Sequence, residues 1–104
     1  MTNKVFQLRI ALLVAKIKAN ELRESDDGGT SNFDTPVIIL PHWSKNAINQ
    51  AFQSTGMTPH KEGNAIHILH ACEGQGFRRT AMAEAFRDSL KASGYNAIVH
   101  YEID

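Results

Sequence analysis

Apolar residues recur along positions 4 to 24 in two interleaved series. Val5, Leu8, Leu12, Ala15, Ala19 and Leu22 follow alternating steps of three and four and draw one stripe along a helix. Phe6, Ile10, Leu13 and Ile17 draw a second stripe on roughly the opposite side. Polar residues fill the gaps, and neither Gly nor Pro interrupts the run. The pattern predicts a helix over 4–24 with two apolar faces. One face belongs to the chain's own core. The other is expected to meet a second subunit, unless the rest of the domain wraps both.

Further along, the period changes. "SDDGGTSN" and its flanks, 25–35, read as a flexible linker by composition. "PVIILP" (36–41) is a short continuous apolar run, the pattern of a strand buried on both faces. Residues 44–56 predict a helix, with Ser44 as N-cap, Trp43 and Ile48 at staple positions and Gly56 as the stop. "MTPHKEGN" (57–64) reads as a loop and "AIHILHA" (65–71) as a second strand. Residues 77–93 predict a third helix with Phe77, Ala81, Met82, Ala85, Phe86 and Leu90 on its apolar side. A third strand, 96–103, has Val99, Tyr101 and Ile103 on one face and Ile98, His100 and Glu102 on the other. Strands alternating with helices predict an α/β fold: a small three-stranded, mainly parallel sheet with flanking helices and a long N-terminal helix. The expected division is a single domain over 1–104, with an α/β core at 36–104.

Composition sharpens this modestly. The chain has 104 residues, 42% of them hydrophobic, enough for one modest core. Eleven basic residues balance eleven acidic ones, so the broad positive field of a non-specific nucleic-acid binder is missing. A single cysteine excludes an internal disulfide framework and fits a reducing, cytoplasmic setting. The N-terminal apolar run is broken by Arg9, Lys16 and Lys18 and is too short and too charged to span a bilayer. No membrane association is expected.

The specific chemistry in the chain lies at 67–86, "HILHACEGQGFRRTAMAEAF". Cys72 falls where a strand should end. Gly74 and Gly76 then allow backbone N–H groups to converge, and the start of a helix adds partial positive charge. Arg78 and Arg79 are placed to close on a phosphate. Such a field lowers a thiol's pKa and favours a nucleophilic thiolate. The plainer reading is a small residue filling space at a strand end, since free cysteine is among the most buried residue types.

Cys72, five intervening residues and Arg78 resemble the active-site loop of cysteine-based protein tyrosine phosphatases. The continuation "RTAMAEAF" (79–86) is similar to the Arg-Ser-Pro-Met-Ala-Glu-Ala segment of low-molecular-weight phosphatases. The resemblance covers 72–86. It implies Cys72 as nucleophile, Arg78 or Arg79 holding the phosphate, and Thr80 assisting thiolate departure and capping the helix. In the dual-specificity order Asp34 would stand as general acid. The cysteine-phosphorylated components of sugar-transport systems also look similar here. A phosphate-bearing ligand is implied, held by Gly74, Gly76, Arg78 and Arg79.

His67, His70 and Cys72 first suggest a metal, but alternation along a strand separates His67 from the other two. His100 would join His70 only if their strands were neighbours, and His42 and His60 fall in loops. No paired metal-ligand spacing occurs, so no metal and no cofactor are expected. Two principal functions remain open. One is a small oligomeric α/β domain acting through protein–protein interaction. The other is a phosphatase-like enzyme or phosphate binder using the loop at 72–80. A nucleic-acid accessory role through Arg78, Arg79, Arg87 and Lys91 is weaker, because the net charge is zero and no recognition motif is present.

Overall fold

The computed structural model describes residues 3–26 and 28–103. In chain order it contains α1 (Asn3–Asn20), β1 (Thr35–Ile39), α2 (Lys45–Phe52), β2 (Thr58–Glu62), β3 (Ala65–Leu69), α3 (Gly76–Ala92) and β4 (Asn96–His100). The mixed α/β class is as expected. The sheet corrects the expected one. It has four strands in the order β2-β3-β1-β4, and every neighbouring pair is antiparallel.

The reason lies in the hairpin that the sequence hides. Residues 58–62, read as a loop, form the edge strand β2. Its sequence, TPHKE, is polar, almost wholly exposed and contains Pro59, so it carries no buried alternation to betray it. A two-residue turn at Gly63 and Asn64 reverses the chain into β3, with Gly63 at φ 62° as such turns require. β1 and β2 therefore run the same way, as do β3 and β4. Both helical crossovers exist, but each skips one strand, and the other pair fills the gap in reverse. This interleaved β-α-β-β-α-β connectivity is the split arrangement of ferredoxin-like domains, here preceded by α1.

The sheet has one covered face and one open face. Ile38, Ile66, Ile68 and Ala97 face the helices and join the core cluster. Strand alternation puts Val37, His60, His67, Ile98 and His100 on the opposite side. α3 packs on β1 and β4, and α2 packs on β2. α1 contacts both of these helices and closes the layer between them. Its first stripe is the wedge. Val5, Leu8, Leu12, Ala15 and Ala19 are buried, Leu22 is partly buried against the core, and Ala11 is buried beside them, so that three alanines allow close helix approach. Arg9 donates to the carbonyls of Gln50 and Ala51, and Lys4 lies 4.5 Å from the Trp43 ring centroid, so α1 is also tied to the α2 side.

Local signals explain the helix limits. Ser44 Oγ accepts from the Ala47 amide at 3.0 Å, the N-cap expected of it. α1 ends four residues before the expected limit, in tight turns where the amides of Leu22 and Arg23 donate three residues back. Phe77 departs from expectation. It is 63% exposed rather than in the core, and its ring lies over Gly29. Among the described residues no helix is long and apolar enough to cross a membrane.

Candidate functional site

The turn from β3 into α3 brings most of the expected loop residues together. β3 stops at Leu69, so both His70 and Cys72 leave the strand. His70 adopts a left-handed conformation, φ 66°. Lys16, reaching from α1, donates to the carbonyls of His70 at 3.1 Å and Ala71 at 2.9 Å and pins this turn. Cys72 is half-buried and packs against the core cluster. Burial pushes its thiol up to about 11, although Arg79 and Lys16 pull it down; Asp34 adds to the rise. Desolvation therefore outweighs both cations, and at neutral pH Cys72 is a thiol. A phosphatase-type nucleophile needs the opposite shift.

The helix start is occupied by the chain itself. The amide of Phe77 donates to the Gly28 carbonyl at 2.8 Å. Asn32 Nδ2 donates to the Gly76 carbonyl at 2.9 Å, and Ser31 Oγ donates to Gln75 Oε1 at 2.7 Å. Gly29, at φ 89°, lies so close to Phe77 that a Cβ there would stand 2.9 Å from the ring. Residues 28–32, within the stretch expected as linker, are thus docked on the first turn of α3, while Asp27 lies outside the described residues.

The arginines serve the same docking. Arg78 folds back over Gly74, where an added Cβ would meet its Cδ at 2.5 Å, and donates from Nε to the Ser25 carbonyl at 3.0 Å. Arg79 donates from Nε to the Asp34 carbonyl at 2.9 Å. They diverge instead of forming a fork. Asp34 is only 4% exposed. Its Oδ2 accepts from Thr80 Oγ1 at 2.6 Å, and its Oδ1 accepts from the Glu102 amide at 2.9 Å. Asn32 Oδ1 in turn accepts from the Asp34 amide. The carboxylate joins α3, the start of β1 and the C-terminal segment, and both of its oxygens are engaged.

Of the residues expected from sequence, Cys72, Asp34, Arg79 and Thr80 are gathered, while Arg78 turns toward Ser25. Asn32 and Lys16 were not foreseen as members. Asn32 lay inside a linker-like run and Lys16 is remote in sequence, so neither carried a signal. Among the described residues no buried side-chain polar atom lacks a hydrogen-bond partner, and no group of three His, Cys, Asp or Glu is placed to hold a metal. His60, His67 and His100 instead line the open sheet face edge to face, with ring centroids 6.0 and 5.4 Å apart. For the nucleic-acid reading, Arg87 is paired with Asp88 at 2.9 Å, alongside the two engaged loop arginines.

The second site is the outer face of α1. Phe6, Ile10, Leu13, Val14 and Ile17 are each 39–63% exposed on one side of one helix. They display on the order of 400 Å² of apolar surface, within the range of the largest patch on a typical monomer, which is often functional. Shallow grooves run beside it, one between α1 and α3 lined by Val14, Lys18, Leu22, Ala85 and Ser89. No protein-family model, curated protein or solved structure matches the chain.

Proposed function

We propose that this chain is a non-catalytic interaction domain that joins a second copy of itself through the outer face of α1. The carrying observation is the row of five large, exposed apolar side chains on a helix whose other face is fully buried. An apolar face of this kind gains free energy when a partner removes it from water. The loop at 72–80 supports the same reading by contrast. Its thiol is raised, its helix start is covered by Gly28, and its arginines bind backbone carbonyls, so the phosphatase-like alternative has little to draw on.

The test is the solution mass of the chain. Light scattering at micromolar concentration is expected to give the mass of two chains, falling toward one on dilution. Ile10→Glu with Ile17→Glu should raise the dissociation constant at least about 100-fold, because each places a charge within the apolar row. A monomer mass at all concentrations would remove this reading.

A further inference from the structure

The pattern on α1 also specifies how a second copy sits. This step rests on the self-association reading above. Along the outer face the residues are Asn3, Phe6, Ile10, Leu13, Ile17 and Asn20. Their steps are three, four, three, four and three, the spacing of a two-helix seam. The row is the same in either direction: polar Asn at each end, four large apolar residues between, and its midpoint between Ala11 and Leu12. A face with that symmetry is complementary to itself when the second helix runs the opposite way about a two-fold axis.

We propose that two chains pair through α1 in antiparallel fashion, with Phe6 against the partner's Ile17 and Ile10 against the partner's Leu13. Area permits it. The apolar row supplies about half of the roughly 800 Å² that each partner of a stable complex buries, and the neighbouring Gln7, Lys18 and Glu21 border it. Charge favours this direction over the parallel one. The first turn of α1 contains no acidic residue. Glu21 is exposed one turn beyond Ile17 and is held only by a surface contact to Lys18 at 3.6 Å. Antiparallel pairing brings Glu21 to the partner's helix start, where the positive end of the dipole receives it. Parallel pairing would set Glu21 against Glu21 and align the two dipoles head to head.

Cross-linking at the polar ends reads the direction without disturbing the apolar row. In a chain with Cys72→Ala, which removes the other thiol, Asn3→Cys and Asn20→Cys are made separately and together. Diamide supplies the oxidant, taking two electrons and two protons from each thiol pair. In the antiparallel dimer position 3 of one chain meets position 20 of the other. An equimolar mixture of the single variants, and the double variant, should then form covalent dimer at least tenfold faster than either single variant alone. Fast cross-linking of each single variant by itself would overturn the antiparallel arrangement. So would a dimer mass by light scattering with no fast cross-linking in any variant, since the contact would then lie elsewhere. A monomer mass in all variants and in the parent chain defeats the self-association reading itself, which keeps the two failures distinct.

Discussion

The turn into α3 and the outer face of α1 differ in what each leaves unmet. The turn holds the residue types that suggest chemistry, yet Asp34, Thr80 and the two arginines are engaged within the fold. Asp34 uses both carboxylate oxygens, Thr80 donates to it, and the arginines reach carbonyls of residues 25 and 34. The outer face of α1 holds ordinary helix formers, and Ile17 there is 63% exposed. Binding and catalysis draw on groups whose interactions are not already satisfied. By that measure the plain apolar row has more to gain from a partner than the reactive-looking loop.

The sharpest way to break this contrast is to truncate neighbouring leucines on α1. Leu12 is fully buried and Leu13 is 39% exposed. Leu12→Ala should cost about 2–5 kcal/mol of folding stability by urea denaturation, the range for a core cavity. Leu13→Ala, measured in the Ile10→Glu, Ile17→Glu background to remove any association, should change stability by less than about 0.5 kcal/mol. In the parent background the same change should lower the melting temperature only at concentrations where dimer forms. Equal losses at both positions would mean that the outer face is covered by the chain itself.

Next in size is Asp34. Asp34→Ala leaves the Glu102 amide without its acceptor and the half-buried Thr80 hydroxyl with only the Gly76 carbonyl at 3.2 Å, and should cost about 2–4 kcal/mol. Asp34→Asn keeps an oxygen for the amide, and Thr80 can rotate to accept, so about 1 kcal/mol is expected. Thermal unfolding of both variants checks the order. A neutral Asp34→Ala would show that the carboxylate is not holding the C-terminal segment to α3, and would reopen a functional role for it.

Why the helices were legible while the sheet and the loop were not follows from particular residues. α1 and α3 have enough turns for a period to show, and Ser44 marks the start of α2 chemically. Even the doubled stripe of α1 was readable, because each stripe is a local property. Strand order is not local. It turned on β2, whose Pro59, His60 and Lys61 face an edge and carry no burial pattern. The loop is hard to read for a related reason. Cys, Gly and paired Arg announce an anion site only if residues distant in sequence stay away. Here the Gly28 carbonyl comes in and takes the Phe77 amide, while Asn32 and Lys16 donate to carbonyls of the same turn. Phe77 shows the same limit, since its helical position could not reveal that residues 28–29 would lie beside it.

Docking of residues 28–32 is tested by Gly29→Ala. At φ 89° any side chain is strained, and the new Cβ would press on the Phe77 ring. A loss of about 1–2 kcal/mol is expected, with faster proteolysis between Ser25 and Asn32. If Phe77→Ala restores the resistance lost in Gly29→Ala, the contact with the ring is the cause. Unchanged stability and cleavage in Gly29→Ala would mean that the segment is not held on α3.

The smallest effect on stability at neutral pH is expected at Cys72, where the comparison is most exposed to a direct test. Burial raises the folded thiol from its ordinary 9.0 to about 11. Below pH 9 both folded and unfolded chains keep the proton, and the residue adds no pH dependence. Between about 9 and 11 the folded chain still holds a proton that the unfolded chain has lost, so stability falls as pH rises through that window. Cys72→Ser should remove this part of the alkaline decline, and denaturation curves at pH 7, 9 and 10.5 will show the difference growing with pH. Reactivity follows the same shift. At pH 8 an ordinary thiol of pKa 9.0 is about one-tenth ionised, and one near 11 about one-thousandth, so iodoacetamide should react roughly 100-fold more slowly with the folded chain than with the urea-unfolded one. Inorganic phosphate should leave that rate unchanged, because the amide of Phe77 already has the Gly28 carbonyl as its acceptor. Rapid alkylation near pH 6.5 that phosphate suppresses would reverse the assignment, making the turn an anion site and Cys72 its nucleophile.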